Sequence, residues 1–330
     1  MKTNRRDFIR FGAMAFVGAS MLPGTDPVFQ QQKGKKKGKE KQNQKAAQKS
    51  AQKPGQKGKE KTMTGLQLYS VRDDMQKDPR GTLEKLAKMG YVYVEHANYV
   101  NEKFYGFPAQ DFRKILDDLG LKMISGHTVM GRQHWDEAKQ DFSDSWKKLV
   151  ADAAVLGQRW VVSPSMDNSM RNNYDSFKKY MDVFNKSGEL CKKSGMKFGY
   201  HNHDFEFSEQ LNGQRLFDIM MTSLDNELVA MQLDIGNLYN GGAVALDVMS
   251  KYPGRFEIIH TKDEIPAKEG EEKYESTILG KGIVNARQVV DLARDKGGTI
   301  CYIIEQESYQ GRTPLECVEE DLKIMKSWGY

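Results

Sequence analysis

The sequence predicts an α/β protein of the (β/α)8 TIM-barrel type, on three observations. From Thr64 to the end, apolar runs of roughly five to seven residues alternate with amphipathic segments of about ten to twenty. About eight such pairs over roughly 270 residues match the length and period of a closed eight-fold barrel. Several helical segments also run into glycine before the next apolar run, at Gly90, Gly120, Gly157, Gly195 and Gly298, where a left-handed residue ends a helix with little strain. A doubly wound sheet is the alternative, but it wants a glycine-rich phosphate turn after its first strand. Here the first strand runs into Tyr69-Ser70-Val71-Arg72, with no GxGxxG.

The expected strands are Gly65–Ser70, Tyr91–His96, Lys122–Val129, Arg159–Ser165, Lys197–His203, Val229–Gly236, Phe256–Lys262 and Thr299–Glu307. The helices between them are led by Asp78–Lys88, Ala109–Leu119, Ser143–Leu156, Tyr174–Lys193, Arg215–Leu224, Ala243–Tyr252 and Ala286–Lys296, and Pro314–Trp328 closes the chain. This barrel domain occupies 62–330.

The preceding residues have another character. Residues 1–24 read as an export signal: Arg5-Arg6-Asp7-Phe8-Ile9-Arg10 precedes an apolar run from Phe11 to Leu22 that is too short to span a bilayer comfortably. The adjacent arginines followed by an aromatic residue resemble a twin-arginine signal, so the expected location is periplasmic, with membrane contact only through that segment. Residues 25–61 are Lys, Gln, Gly and Ala with almost no large apolar side chains. Such a composition buries too little surface to offset ordering entropy, and the segment reads as a disordered cationic linker. Residues 1–61 hold 16 of the chain's 50 basic and 4 of its 45 acidic residues. That leaves 34 basic and 41 acidic in the barrel, a net of −7 beneath an overall +5. A nucleic-acid partner read from the pI of 8.8 is therefore excluded for the domain. Cys191, Cys301 and Cys317 form no CxxC or other metal spacing, and read as buried free thiols.

In a barrel of this type, chemistry sits at the C-terminal ends of the strands. Tyr69 is expected at the end of strand one, Glu95 and His96 at strand two, His127 at strand three, and Ser163 and Ser165 at strand four. Tyr200-His201-Asn202-His203-Asp204 ends strand five, and Leu233-Asp234-Ile235-Gly236-Asn237 ends strand six. Ile259-His260-Thr261-Lys262-Asp263 and Ile304-Glu305-Gln306-Glu307 end strands seven and eight. Of the six histidines only His134 falls elsewhere. His201 and His203, two apart on a strand, face the same way. Neighbouring strands lie about 4.8 Å apart, so one inward group from each of strands five to eight can converge on one ion. A mixed nitrogen and oxygen set suits Mn, Co, Fe, Zn or Ni, with Mg also admitted, over calcium. Two other readings stay open at this point: Asp234 can cap the following segment, and Glu305 can pair with Lys262.

The ordered set Gly65-Leu66-Gln67-Leu68-Tyr69-Ser70, Ser125-Gly126-His127, Leu233-Asp234-Ile235-Gly236-Asn237, His260-Thr261-Lys262-Asp263, Leu279-Gly280-Lys281-Gly282 and Glu305-Gln306-Glu307 resembles the xylose-isomerase-like sugar isomerase/epimerase superfamily, from about Thr64 onward. The resemblance implies one divalent metal at the barrel mouth, with Asp234, His260 and Glu305 as ligands. Its fourth ligand is a glutamate ending strand five, and His201 stands in that place here. Epimerases of the family use the strand-five and strand-eight glutamates as two bases. A histidine at 201 departs from that plan and brings lyases or hydratases of inososes and 3-keto-glycosides into contention.

The shared chemistry is proton abstraction next to a carbonyl chelated by metal. Glu305 is the first candidate base, with His203 and Glu307 behind it. Lys262 is a candidate to stabilise the oxyanion or protonate a leaving oxygen, or to form a salt bridge with Asp263 or Glu95. Glu95, His127, Asn202, Asn237 and Glu307 are candidates to hold or orient substrate, and core polar pairing is the other reading of Glu95 and His127. Tyr105, Phe107 and Trp135 are candidates to stack on a sugar ring or simply to pack loops, and Gly280-Lys281-Gly282 is a weak phosphate-loop signal. The expected partner is a small carbohydrate, with a homodimer as the default assembly. Three functions remain: a keto-sugar isomerase or epimerase, a lyase or hydratase of an inosose or 3-keto-glycoside, and a non-catalytic sugar-binding barrel.

Overall fold

The computed structural model describes residues 62–268 and 273–330. The expected signal at 1–24 and linker at 25–61 therefore lie outside the described residues. Eight parallel strands close on themselves: β1 (Met63–Gln67), β2 (Tyr93–His96), β3 (Lys122–His127), β4 (Trp160–Ser163), β5 (Lys197–His201), β6 (Val229–Asp234), β7 (Ile258–Thr261) and β8 (Cys301–Ile304). Each pairs with its sequence neighbours, and β8 returns to pair with β1. The expected (β/α)8 barrel is the observed one.

Successive strand residues point in opposite directions. Outward residues such as Leu66, Val94, Phe198, Leu233 and Tyr302 pack under the helices in one large apolar cluster. Inward residues including Met63, Ile124, Trp160, Ile258 and Ile303 form a second, smaller cluster inside the ring. The inside is tight where β1 meets β8: a Cβ on Gly65 would lie 2.9 Å from Ile303 Cδ1 and 3.0 Å from the Tyr93 carbonyl oxygen.

The helices follow their sequence signals. Besides two short helices at Arg72–Lys77 and Phe205–Ser208, they are α1 (Pro79–Met89), α2 (Ala109–Asp118), α3 (Asp144–Leu156), α4 (Tyr174–Lys193), α5 (Leu216–Ser223), α6 (Ile235–Asn240), α7 (Ala245–Lys251), α8 (Ala286–Leu292) and α9 (Pro314–Trp328). Asp78, Ser143 and Asn173 each accept a backbone N–H at the start of α1, α3 and α4, satisfying an otherwise orphaned donor. Thr313 and Glu316 form a reciprocal capping box at α9, with Pro314 in its first turn. All three cysteines are buried and free. Among the described residues, no helix is long and apolar enough to cross a membrane.

The C-terminal strand ends differ from expectation. Every strand but β2 stops one to three residues earlier than the sequence pattern suggests. There the backbone leaves the ladder for side-chain partners. Gln67 Oε1 accepts the Tyr69 N–H at 3.2 Å, which starts a 3-10 turn over Leu68–Val71. Tyr69, expected at the end of strand one, lies in that turn. Glu307 N–H donates to Ser276 Oγ at 2.7 Å, beyond the end of β8. His96 also departs from the expected site: its ring sits over Gly126, where a Cβ would lie 1.8 Å from His96 Nε2, and edge-on to Phe104.

Candidate metal centre and active site

Strands β5 to β8 bring four side chains to one point. Gln232 pairs in register with His201, and Asp234 with His260. The period of two then places His201, Asp234, His260 and Glu305 inward at the top of adjacent strands. One ligand atom from each lies within 4.8 Å of every other, and all four residues are buried. Bonds of about 2.1 Å put opposite ligands of an octahedral ion roughly 4.2 Å apart, so small side-chain adjustments suffice to close the set.

Asp234 satisfies both sequence readings at once. Its Oδ1 accepts the Gly236 and Asn237 N–H groups at 2.8 and 2.6 Å, capping α6. Its Oδ2 is buried, makes no well-aligned hydrogen bond, and lies 3.9 Å from His201 Nε2, 3.8 Å from His260 Nδ1 and 3.2 Å from the Lys262 ammonium. A carboxylate oxygen of this kind, next to two imidazoles and a second carboxylate, is the donor set that a divalent transition metal takes. The residues therefore fit such an ion.

Lys262 enters the same cluster. Its Nζ stands 3.2 Å from Asp234 Oδ2, 2.8 Å from Glu305 Oε2 and 2.8 Å from Glu307 Oε2. The alternative pairing of Glu305 with Lys262 is thus also present. The suggested Lys262–Asp263 bridge does not form: Asp263 instead accepts the Gly280, Gly282, Val284 and Glu264 backbone N–H groups. The Gly280-Lys281-Gly282 amides serve Asp263, and Lys281 pairs with Glu320.

The charges follow from these contacts. Burial drives the His201 pKa well below the ordinary histidine value, and the neighbouring imidazoles push it further. His201 is therefore neutral, with a lone pair to offer. Burial works against the His260 cation too, but Glu95 and Glu305 on its two nitrogens raise its pKa to about 10. Glu305 is held well below the ordinary carboxyl range against its burial, by Lys262 and then His260. Asp234 is raised by burial, with Lys262 opposing.

Beneath the quartet lies a polar floor. Glu95 is fully buried, and protein donors surround both its oxygens. Oε1 meets Gln67 Nε2 at 2.7 Å, His260 Nε2 at 2.6 Å and His127 Nε2 at 3.1 Å. Oε2 accepts from Ser125 Oγ at 2.5 Å and Gln232 Nε2 at 2.7 Å. Gln232 Oε1 lies 2.6 Å from His127 Nε2 and 3.1 Å from His201 Nδ1. The structure thus sets Glu95 and His127, candidates for sugar contact, in the core polar pairing that was their other reading. Their neighbours His127 and His260 pull the Glu95 pKa well below normal, against its burial. Sequence reasoning missed Gln67, Ser125 and Gln232; the available signal was a polar residue at an inward position of an otherwise apolar strand.

The remaining candidates divide between frame and mouth. Asn202 ties β5 to β6, accepting the Asp234 N–H at 2.9 Å and donating to its carbonyl at 3.2 Å. Asn237 Nδ2 lies 3.3 Å from His201 Nε2. His203 is half-buried, with its ring 5.2 Å from that of His201 and stacked on Phe205. Glu307 approaches the cluster through Lys262. Tyr105 and Phe107 pack on Phe112, and Trp135 on Phe142, which is the loop-packing reading of all three.

Comparison with known proteins adds three findings. A family model described as a xylose isomerase-like TIM barrel matches residues 83–328. An inosose dehydratase of Clostridium perfringens is 31% identical over 183 residues, 55% of this chain and 60% of that protein. One from Clostridium botulinum is 26% identical over 282 residues, covering 82% of this chain and 84% of that one. The chain thus spans about 60% of the length of the first of these relatives and more of the second. Among solved structures, a sugar phosphate isomerase/epimerase from Parabacteroides distasonis superposes with a TM-score of 0.70 at 27% identity, covering 82% of this chain and 96% of that one.

Proposed function

The chain belongs to the xylose isomerase-like TIM-barrel family, and on that premise we propose that it is a divalent-metal-dependent lyase or hydratase of a cyclic keto-polyol, of the inosose or 3-keto-glycoside class. The observation that carries this reading is a close base–acid pair beside the donor set: Glu305 Oε2 and Lys262 Nζ, 2.8 Å apart. His201 stands where a two-base epimerase of the family has its second glutamate. Inversion of a carbon needs a proton carrier on each face, whereas elimination needs one base and one acid. The inosose dehydratases at 31% and 26% identity support the same choice.

His201, Asp234, His260 and Glu305 would hold a divalent metal, which would supply Lewis-acid polarisation of a substrate carbonyl. The protein residues do the rest. Glu305 takes the proton from the carbon next to the carbonyl. The C–H electron pair becomes the new C=C bond. The β-oxygen leaves with a proton from Lys262, as water or an alcohol, and solvent carries the proton taken by Glu305 back to the Lys262 amine. His203, at the mouth, contacts the substrate ring or relays the proton. Isomerisation or epimerisation of a keto-sugar shares the first step. It stands as the second reading because the 27% identical structure is named a sugar phosphate isomerase/epimerase.

The test is NMR in D2O with metal-loaded protein and a panel of inososes, 3-keto-glycosides and ketoses. The expected result is an unsaturated ketone or released alcohol from the first two classes. Deuterium entering the α-carbon without elimination selects the isomerase reading. Neither outcome with any of Mn, Co, Zn, Ni or Mg overturns both.

A further inference from the structure

Lys262 occupies an unusual position for a catalytic acid. Its ammonium is 1% exposed and faces three carboxylates: Asp234, Glu305 and Glu307. Asp234 and Glu305 are also the two anionic members of the donor set. A divalent ion bonded at about 2.1 Å to Asp234 Oδ2 and Glu305 Oε2 claims the same oxygens that the ammonium approaches at 3.2 and 2.8 Å. Two cations on the same two oxygens repel strongly in a buried site. Only Glu307 lies outside the set, and its Oε2 already sits 2.8 Å from Nζ.

We propose that Lys262 is an internal competitor for the metal, and that Glu307 is the seat onto which its ammonium withdraws when a divalent cation takes Asp234 and Glu305. The consequence concerns catalysis as well as affinity. An ammonium has three N–H donors, and here three carboxylates face it. Once Lys262 gives up Asp234 and Glu305, those donors turn toward the barrel mouth, where a leaving oxygen lies. Metal loading thereby arms the acid. Glu307 acts through Lys262 and is a positioning residue. This inference rests on the metal site of the proposed function and does not depend on which substrate it takes.

The test is a double-mutant cycle read as Mn2+ affinity by calorimetry and by the EPR signal of free Mn2+, with no substrate present. Lys262→Met should bind Mn2+ at least roughly tenfold tighter than wild type, because the competing charge is gone. Glu307→Gln should bind roughly tenfold weaker, because a neutral amide holds the ammonium less strongly than the carboxylate does and leaves more of it on the metal's oxygens. In the Lys262→Met background, Glu307→Gln should change little. An equal loss in both backgrounds means that Glu307 acts on the metal directly, and overturns the proposal. So does a Lys262→Met protein that binds no tighter. If Lys262→Met fails to fold, the single Glu307→Gln variant still decides, since unchanged affinity there overturns the idea. Wild-type protein that takes up no Mn2+, Co2+ or Zn2+ overturns both this inference and the metal reading beneath it. Metal binding with unmoved variants overturns this inference alone.

Discussion

The inward positions of the barrel change character within two to four residues along the same strands. Toward the N-terminal ends, Met63, Ile124, Trp160, Ile258 and Ile303 fill the ring with apolar side chains. One or two steps up, β1 offers Gln67 after Met63, β6 offers Gln232 and Asp234 after Ala230, and β7 offers His260 after Ile258, all buried. Backbone geometry and twist are common to both halves, so the difference is chemical. Burying apolar area stabilises the fold. Burying this density of charge costs stability unless each group is paired, and even paired charges often do no better than apolar residues of the same size. The lower half is built to hold the barrel closed; the upper half makes sense only through what it binds.

Paired substitutions give that contrast its largest test. Ile303→Ala, in the apolar half, should cost about 2–5 kcal/mol of unfolding free energy in denaturant titration and leave metal stoichiometry intact. Asp234→Ala should do the reverse. Metal content by elemental analysis should fall from about one per chain to background, since that carboxylate supplies charge that no neighbour replaces. The lost cap on α6 should cost only about 1 kcal/mol. Stoichiometric metal in Asp234→Ala would remove the reason for the polar half.

Glu95 marks the boundary between the halves and offers a finer test. Its Oε1 sits 2.6 Å from His260 Nε2, the arrangement that leaves Nδ1 of a metal-binding histidine to the ion. Glu95→Gln keeps the shape and an acceptor for Ser125 but removes the charge beneath His260. Metal affinity should fall 10- to 100-fold. The 15N shifts of the His260 ring should also move toward a mixed tautomer. A variant with wild-type affinity and ring shifts makes Glu95 a filler and moves the boundary upward.

These tests also separate what was legible in the sequence from what was not. The eight strands, the span of α4 and the start of α9 follow from period and local capping, which are written in neighbouring residues. The convergence of His201, Asp234, His260 and Glu305 follows almost as directly, because inward facing repeats every second residue and strand order in a barrel matches chain order. The floor was opaque for the opposite reason. Glu95 meets Gln67 28 positions away, but Gln232 137 away and His260 165 away. No local pattern distinguishes that carboxylate from one aimed at a sugar. The placement of Lys262 among three carboxylates is likewise a tertiary fact: the sequence offers Asp263 as its nearest partner, and backbone N–H groups take Asp263 instead.

Two other buried carboxyls sharpen the comparison with the smallest effect. Glu95 and Glu305 are held low by cations, whereas at Asp321 in α9, which accepts the Leu279 N–H at 2.9 Å on Oδ1, burial outweighs Arg312 and Lys281. Burial raises its pKa to about 7. Glu206, also buried, is raised to about 8. The folded protein therefore binds more protons than the unfolded chain from about pH 4 up to these values. Stability should be highest below that window as far as these two groups are concerned, and should fall as pH rises through it, by up to about 1.4 kcal/mol per unit for each group. Asp321→Asn keeps an acceptor for Leu279 and deletes one titration. Denaturant midpoints measured between pH 5 and 8 with chelator present should then fall less with rising pH than in wild type. An unchanged slope would mean that Asp321 stays ionised in the folded state, and that the cations at the barrel mouth are not what separates the two classes of carboxylate.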